Sequence, residues 1–326
     1  DSSTNGFGMV VTATRPLFND PENTGYFFAT YRQFAGGNGE THGQLGGAFS
    51  EDAEDWTTYS NINANGSPPW GGGGYGGAGS AQARYPSCVG TEDFPIAIWG
   101  EYTGDTSTGS AYGGRPYYTL DEFEWDGGSF LYPTDMDLLW ESDSKDLWVA
   151  STAISYDDDL GSSVINAAFS DWTRSENYVF KTEIIDGTDV IFGLEQVIIS
   201  EQLDLVPGDG GSSFNTNSMM SCTPEGLCGL GLVGLFAGGD VDASSISNNH
   251  TGIFRMSEDH GMSWHGCNGA AGCAPSNVDG NGYYYIYDEV WDDLIATQFD
   301  YDYVDECEGT TSVFNSFWSY YNDDFK

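Results

Sequence analysis

Residues 253–264 read I-F-R-M-S-E-D-H-G-M-S-W, a short apolar run followed by a polar turn. Four residues of this stretch have the spacing S-x-D-x-G-x-x-W: Ser257, Asp259, Gly261 and Trp264. A serine and an aspartate placed directly after an apolar run predict a strand that ends in a tight, side-chain-capped turn. If the phrase recurs, the chain is built from repeated units.

The phrase recurs in two fair copies and two degenerate ones. Residues 47–56 and 116–125 repeat it with one residue fewer, and their marker residues are Ser50, Asp52 and Trp56, and Thr119, Asp121 and Trp125. Two degenerate copies end at Ser170 and Ser316 and lack the aspartate two residues on. Apolar segments of strand length precede the five markers: 26–32, 94–102, 146–154, 231–238 and 293–301. Each unit therefore reads as strand, polar hairpin, strand and marker turn.

A period of roughly 50–70 residues made of short strands is typical of a β-propeller. We predict an all-β chain forming a single β-propeller domain over residues 1–326, with about five four-stranded blades and six as the alternative. The predicted blades are roughly 7–64, 81–132, 133–186, 212–268 and 282–326. Residues 8–14 are assigned to the inner strand of the first blade. Two insertions interrupt the pattern, the glycine-rich segment 65–80 and the segment 186–211.

The phrase at 257–264 resembles the Asp-box of the sialidase-like, BNR-repeat β-propeller superfamily. The resemblance implies a turn between the third and fourth strands of a blade, in which the aspartate accepts backbone N–H groups. It implies that Gly261 takes a positive φ and that the tryptophan packs between blades. In that superfamily the box is structural and lies away from the ligand face, so the marker residues are not predicted to form the binding site.

The same superfamily contains sialidases and proteins without enzymatic activity. A sialidase needs three arginines around the substrate carboxylate, a tyrosine nucleophile with a glutamate partner, and an aspartate. The candidate arginines are Arg84, Arg115 and Arg255, and no Glu–Tyr pair stands out in the sequence. We therefore predict a non-catalytic module that binds glycan or protein, or takes part in a larger surface assembly. The alternative is a sialidase-like glycoside hydrolase with these arginines converging on the axis.

The charge is extreme, since 9 Lys and Arg face 50 Asp and Glu and leave a net charge of −41. Such a chain repels nucleic acids and anionic lipids, and no stretch is long and apolar enough to predict a membrane span. The acidity fits either a surface adapted to saline surroundings or divalent-cation binding. The calcium candidates lie in two acidic segments: Asp279, Asn281, Asp300 and Asp302.

Six cysteines predict disulfides and an oxidising compartment. Two pairs enclose five-residue turns and are predicted to bridge locally, Cys222–Cys228 and Cys267–Cys273, which leaves Cys88–Cys307 as a long-range pair. A zinc site is the alternative, although its ligands usually stand closer together. Asn65 and Asn249 begin glycosylation sequons. The cysteines favour a secreted or cell-surface protein, and a first residue other than Met indicates a processed form. Since no clear closing strand precedes Lys326, the alternative is one domain of a longer polypeptide.

Overall fold

The computed structural model describes residues 13–19, 25–33, 43–63, 83–103, 112–139, 145–174, 176–200, 217–235, 250–266, 273–274 and 283–285. Several predicted positions lie outside these ranges: Asn65, Asn249, Cys267, Cys307, Asp279, Asn281, Asp300, Asp302 and Ser316. Most of the predicted fifth blade also lies outside them.

The described residues form antiparallel β-sheets and contain no helix. Sheet 1 has four strands: β1 (Leu17–Asn19), β2 (Phe27–Arg32), β3 (Leu45–Ser50) and β4 (Thr57–Ser60). Sheet 2 also has four: β5 (Ala83–Gly90), β6 (Pro95–Tyr102), β7 (Gly114–Leu120) and β8 (Thr134–Asp135). In both sheets the strands are neighbours in chain order, as the strand–hairpin–strand units predict.

Sheets 3 and 4 have five strands each and are less regular at their outer edges. Sheet 3 contains β9 (Leu147–Asp157), β10 (Ser162–Asp171), β11 (Glu176–Asp186), β12 (Asp189–Phe192) and β13 (Gln196–Ser200). Strands β12 and β13 pair with successive halves of β11 and together complete its outer edge. Sheet 4 contains β14 (Met219–Cys222), β15 (Cys228–Leu235), β16 (His250–Ser257), β17 (Cys273–Ala274) and β18 (Tyr283–Tyr285).

Consecutive sheets pack face to face, which explains why central strands such as β6 are buried at almost every position. Phe28, Trp99 and Trp125 share a core between sheets 1 and 2. Other apolar cores join sheet 2 to sheet 3 and sheet 3 to sheet 4. Sheets stacked in chain order in this way have the arrangement of β-propeller blades.

The first strands of neighbouring sheets lie side by side and are joined by hydroxyl groups. Ser87 Oγ on β5 donates to the Ala150 carbonyl on β9 at 2.6 Å. The Met220 N–H on β14 donates to Ser151 Oγ on β9 at 3.0 Å. Arg15 precedes β1 and reaches two of these strands, through its N–H to Ser87 Oγ at 2.7 Å and its guanidinium to the Met220 carbonyl at 3.3 Å. The first strands therefore form the inner side of the stack.

The structure refines the sequence-based assignment of three segments and of one marker turn. The first strand of sheet 1 is 17–19, and Arg15 pairs with β5, so residues 13 and 14 do not form the predicted strand of sheet 1. Residues 8–12 of that predicted strand lie outside the described residues. The apolar run within the insertion 186–211 was expected to add a strand or a covered edge, and its residues 189–200 supply the outer edge of sheet 3. Residues 283–285, assigned to the fifth blade, belong to sheet 4. The degenerate marker Ser170 ends the second strand of its sheet, so its turn lies at the opposite end from the other marker turns.

Candidate functional site

The marker turn after Ser257 joins the third strand of sheet 4 to its outer edge and is closed by its own side chains. Ser257 Oγ donates to Asp259 Oδ1 at 2.7 Å and accepts the Gly261 N–H at 2.8 Å. The Asp259 carboxylate accepts the Ser263 N–H at 2.8 Å, and these bonds lower the pKa of Asp259 although partial burial opposes them. Gly261 has a φ of +85°, and Trp264 is buried in the core between sheets 3 and 4.

The turn after Thr119 has the same position in sheet 2, between β7 and β8. The Asp121 carboxylate is completely buried and accepts the N–H groups of Phe123, Gly128 and Ser129. Trp125 is buried against sheet 1, where its ring lies 6.2 Å from that of Phe18. This copy therefore packs its tryptophan between two sheets, as predicted.

In the first copy, the prediction that the tryptophan packs between blades is wrong. Ser50 and Asp52 cap the turn between β3 and β4, since Asp52 Oδ1 accepts the N–H groups of Glu54 and Asp55 at 2.8 and 2.9 Å. Trp56, however, is 38% exposed, and its indole N–H donates to the Ala53 carbonyl of its own turn at 3.1 Å. The indole is held by that local bond and does not enter a core between sheets.

The three marker turns define one end of the sheets, which we call the box end. At the opposite end, the loop end, the first strands begin and the second strands pass into the third. Four aromatic residues meet there and form what we call the aromatic cluster: Tyr85, Tyr102, Trp148 and Trp172. Trp148 lies at its centre, with ring centroids 5.6 Å from Trp172, 6.2 Å from Tyr102 and 6.5 Å from Tyr85. Trp148 is buried, whereas Trp172 is 39% exposed and offers a ring surface to solvent.

Asp146 bonds to Trp148 and to the segments that flank the aromatic cluster. Its side chain is completely buried and accepts the Trp148 indole N–H at 3.0 Å and the Gly114 N–H at 2.7 Å. It also accepts the Tyr112 N–H and the Thr173 hydroxyl, both at 3.1 Å. One carboxylate thus joins the loop before β7, the start of β9 and the turn that carries Trp172. Charge-assisted bonds of this kind fix the geometry of the rings.

Two glycines of sheet 2 make room for the Trp148 ring. A Cβ added at Gly114 would overlap the indole, and one at Gly100 would stand 3.2 Å from Trp148 Cε3. The Trp148 indole therefore packs directly against the backbone of sheet 2, and we call these two glycines the glycine floor. The neighbouring strands are bulged at the same level, with Tyr85 at a φ of +49° and Val149 at +59°. Positive φ is rare for such residues, and bulges of this kind re-aim side chains near binding sites.

The predicted arginines are distributed over two sheets. Arg84 lies on β5 beside the aromatic cluster, and burial lowers the pKa of its guanidinium, with Glu101 opposing the shift. Arg115 on β7 forms an ion pair with Asp135, whose pKa is raised to about 6 by burial despite that pair. Arg255 lies near the box end of β16, buried in sheet 4. The structure thus brings Arg84 and Arg115 into one sheet and leaves Arg255 in another.

A fourth arginine, Arg32, was missed by sequence analysis. It ends β2 and is buried, and the pKa of its guanidinium is lowered to about 10 by burial and then by the charge of Arg84. Lys145 is equally buried between sheets 2 and 3, where it forms ion pairs with Asp137 at 3.2 Å and Glu195 at 2.6 Å. The two ion pairs of Lys145 join the segment after β8 to the segment before β13 at the loop end.

Asp171 begins the turn that carries Trp172. Its Oδ1 accepts the N–H groups of Thr173 and Arg174 at 2.8 and 3.0 Å. Its Oδ2 is buried without a hydrogen-bond partner, and burial raises the pKa of Asp171 to about 6. Next along the chain, Tyr178 donates its hydroxyl to Glu176, a Glu–Tyr pair that sequence analysis did not detect.

The predicted disulfide Cys222–Cys228 is confirmed and joins paired positions of the β14–β15 hairpin. Cys88 instead has a free thiol, completely buried between sheets 1 and 2, where it donates to the Phe28 carbonyl at 3.3 Å. Burial raises its pKa to about 12. The structure therefore does not support the Cys88–Cys307 bridge, and Cys307 itself lies outside the described residues, as does one partner of the Cys267–Cys273 pair.

Within the described ranges, no group of three or more His, Cys, Asp or Glu side chains is arranged to hold a metal ion. Among the same residues, no helix has the length and apolarity needed to cross a membrane. The calcium candidates, which lie outside those residues, stay predictions.

No protein-family model matches the chain, and no curated protein matches it. Solved structures with a similar fold include an exo-1,5-α-L-arabinanase from a bovine ruminal metagenomic library, with a TM-score of 0.43, 12% identity, and coverage of 83% of this chain and 78% of that one. An endo-arabinase from Bacteroides thetaiotaomicron has a TM-score of 0.42 and 9% identity, and the match covers 85% of this chain and 94% of that one. The sialidase of Trypanosoma rangeli has a TM-score of 0.42 and 14% identity, and the match covers 78% of this chain and 37% of that one. With TM-scores below 0.5 and identities of 9–14%, these likenesses carry no argument about what this chain does.

Proposed function

We propose that the chain binds carbohydrate at the loop end, through the aromatic cluster. The observation that carries the proposal is the group of three rings around Trp148, with Trp172 presented to solvent. A sugar ring has an apolar C–H face, and a flat aromatic surface beside polar groups is the kind of lining that binds such a molecule. Tyr112, 52% exposed and held by Asp146 through its N–H, extends the surface.

Polar groups at the rim supply partners for sugar hydroxyls. The indole N–H of Trp172 donates to Asn217 Oδ1 at 3.3 Å, which places an amide beside the exposed ring. A net charge of −41 disfavours polyanionic glycans, so the ligand class is uncharged oligosaccharide. Because Asp146 and the glycine floor fix the rings before binding, little conformational entropy is lost on complex formation.

The proposal extends to the blade number and the location of the protein. We infer five blades arranged as a closed ring, with the marker turns acting as Asp-boxes and the described sheets 1–4 forming four of the blades. We further infer a secreted or cell-surface location, which the Cys222–Cys228 disulfide supports because such bonds persist in oxidising surroundings. In this setting the chain acts as a glycan-binding module.

The test is a glycan array followed by calorimetric titration of the best-bound oligosaccharide. Trp172→Ala is expected to weaken binding by about tenfold or more, because it removes the exposed ring. Trp56→Ala is the matched control, since Trp56 has nearly the same exposure but lies at the box end. An unchanged affinity in Trp172→Ala, or an equal loss in Trp56→Ala, would contradict the proposal. Melting temperatures show that both variants are folded.

A second candidate function is hydrolysis of the bound glycan. Asp171 is the acid candidate, since a carboxyl with a pKa of about 6 next to Trp172 suits protonation of the leaving-group oxygen. Hydrolysis further requires that water attack the anomeric carbon and pass its proton to a second carboxylate. A sialidase-type mechanism is a poorer fit, since Arg115 is paired with Asp135 and Arg255 lies in sheet 4. Release of reducing sugar from the bound oligosaccharide, lost in Asp171→Asn while affinity persists, would support hydrolysis. Binding without any release would leave the module non-catalytic.

A further inference from the structure

Three turns meet at the box end of sheets 3 and 4, far from the aromatic cluster. They are the β9–β10 turn (158–161), the β14–β15 turn (223–227) and the marker turn (258–264). The Tyr156 N–H donates to the Pro224 carbonyl at 2.8 Å, and the His260 N–H donates to the Gly226 carbonyl at 3.0 Å. The His260 ring is hydrogen-bonded to Ser155 at 2.9 Å, so the end of β9 that leads into the first turn is bonded to both other turns. We call this surface the three-turn patch.

The three-turn patch is held in one conformation. The Cys222–Cys228 disulfide closes the middle turn, which also has an N–H bond from Thr223 to the Leu227 carbonyl at 2.8 Å. Asn166 of β10 donates to the His260 carbonyl at 3.0 Å and so fixes the marker turn to sheet 3. A surface built this firmly loses little entropy when a partner binds.

Large apolar side chains project from these fixed turns and from the adjoining end of β9. Leu160 is 67% exposed, Met262 52%, Tyr156 49% and Leu227 41%. Single exposed apolar residues are common, but several grouped on one rigid surface are typical of protein contact sites. Methionine and tyrosine are favourable there because one adapts its shape and the other combines an apolar ring with a hydroxyl.

The rim of the patch is acidic. Each turn carries exposed carboxylates: Asp158, Asp159, Glu225 and Glu258. The three turns contain no lysine or arginine. Two copies of this patch would repel each other, so a second copy of the chain is not the occupant that the charges favour. The complementary partner has apolar side chains flanked by lysine or arginine.

We propose that the three-turn patch binds a basic, apolar segment of another protein. The inference is independent of glycan binding, because the patch lies at the other end of the sheets. The resemblance to the Asp-box implies a structural role for the turns at the box end. The proposal adds a binding role for that end. Binding places the partner's apolar side chains against Leu160 and Met262 and its cations against the acidic rim.

The experiment uses the full chain and a fluorescent peptide of alternating leucine and lysine. Matched peptides replace leucine by serine or lysine by glutamate. Polarisation titrations are expected to show binding of the leucine–lysine peptide, weakened about tenfold in the double variant Leu160→Ser/Met262→Ser. Both substitutions leave the net charge unchanged, so general attraction of cations to an acidic chain is not affected.

The control is Leu17→Ser/Phe123→Ser, which removes two other exposed apolar side chains and is expected to bind as the unmodified chain does. Equal affinity of the serine–lysine peptide, equal loss in the control, or no binding of any peptide would overturn the proposal. Self-association in sedimentation that disappears in Leu160→Ser/Met262→Ser would also overturn it, because the occupant would then be a second copy. Circular dichroism confirms that each variant is folded.

Discussion

The indole N–H of Trp148 donates to the carboxylate of Asp146 at 3.0 Å. Asp146 directly precedes β9, and Trp148 is the second residue of that strand. The same carboxylate accepts three other donors, from the loop before β7 and from the turn after β10. Asp146 is completely buried, and its bonds to Gly114 and Trp148 are buried as well. The aromatic cluster therefore depends on one acidic side chain.

Replacing Asp146 by asparagine is expected to destabilise the chain by roughly 2–4 kcal/mol. Asparagine offers one acceptor oxygen where the carboxylate serves four donors, and it turns an N–H group toward other donors. Urea unfolding measures the loss. Asp158→Asn at the box end is the matched control, since Asp158 is exposed and its replacement is expected to change stability little. Equal stabilities of the two variants would contradict the role of Asp146.

Gly114→Ala tests the floor beneath the Trp148 ring. The added methyl group overlaps the indole, so the ring must shift, at a cost of about 1–3 kcal/mol. Gly229 in β15 has open space around its Cβ position, so Gly229→Ala is the control and is expected to be close to neutral. Tryptophan fluorescence should change in the first variant and not in the second. Unchanged fluorescence and stability in Gly114→Ala would show that the ring is not held there.

The strands and marker turns could be predicted from sequence because their causes are local. Apolar runs next to phrases of Ser or Thr, any residue and Asp correctly located β3, β7 and β16, and the spacing of Cys222 and Cys228 predicted a local disulfide. The aromatic cluster could not be found in this way. Its members come from strand ends separated by loops, and only the packing of sheet 3 on sheet 2 brings Tyr102 and Trp148 together.

Local pattern also fails to determine what a side chain packs against. Trp56 and Trp125 occupy equivalent positions in copies with the same spacing, yet one is 38% exposed and the other 3%. The difference arises because Trp125 lies against the neighbouring sheet 1, whereas Trp56 bonds to its own turn. Trp172 shows the same limit, since its Ser-Asp-Trp phrase resembled a marker turn but lies at the loop end.

The two aspartates that cap the marker turns of sheets 1 and 2 are expected to differ in importance. Asp121 is completely buried and accepts three backbone N–H groups, so Asp121→Ala leaves buried donors without partners and costs about 2–4 kcal/mol. Asp52 is exposed, and water replaces its bonds when it is removed. Thermal unfolding of the two variants should therefore show a much larger loss for Asp121→Ala. The reverse order would contradict the burial argument.

Asp171 is expected to make stability fall as the pH rises through its titration. Its pKa in the folded chain is about 6, above the ordinary value of 3.8, because burial disfavours the charged form. Between these values the folded state binds more protons than the unfolded state, so ionisation above pH 4 destabilises the fold. Asp171→Asn removes this term. Its stability relative to the unmodified chain should therefore improve between pH 4 and pH 7, as measured by urea unfolding, and a constant difference would rule out the raised pKa.

Added salt is expected to raise the melting temperature, because 50 carboxylates face 9 Lys and Arg and screening weakens their mutual repulsion. Sodium and potassium chloride should act alike at equal ionic strength, since screening does not depend on the identity of a monovalent cation. Calcium and magnesium chloride then test the predicted calcium sites at Asp279, Asn281, Asp300 and Asp302. A larger shift with calcium than with magnesium would support specific binding, because calcium accepts more oxygen ligands in less regular geometry. Equal shifts with both ions would leave screening as the whole effect and would rule out those sites.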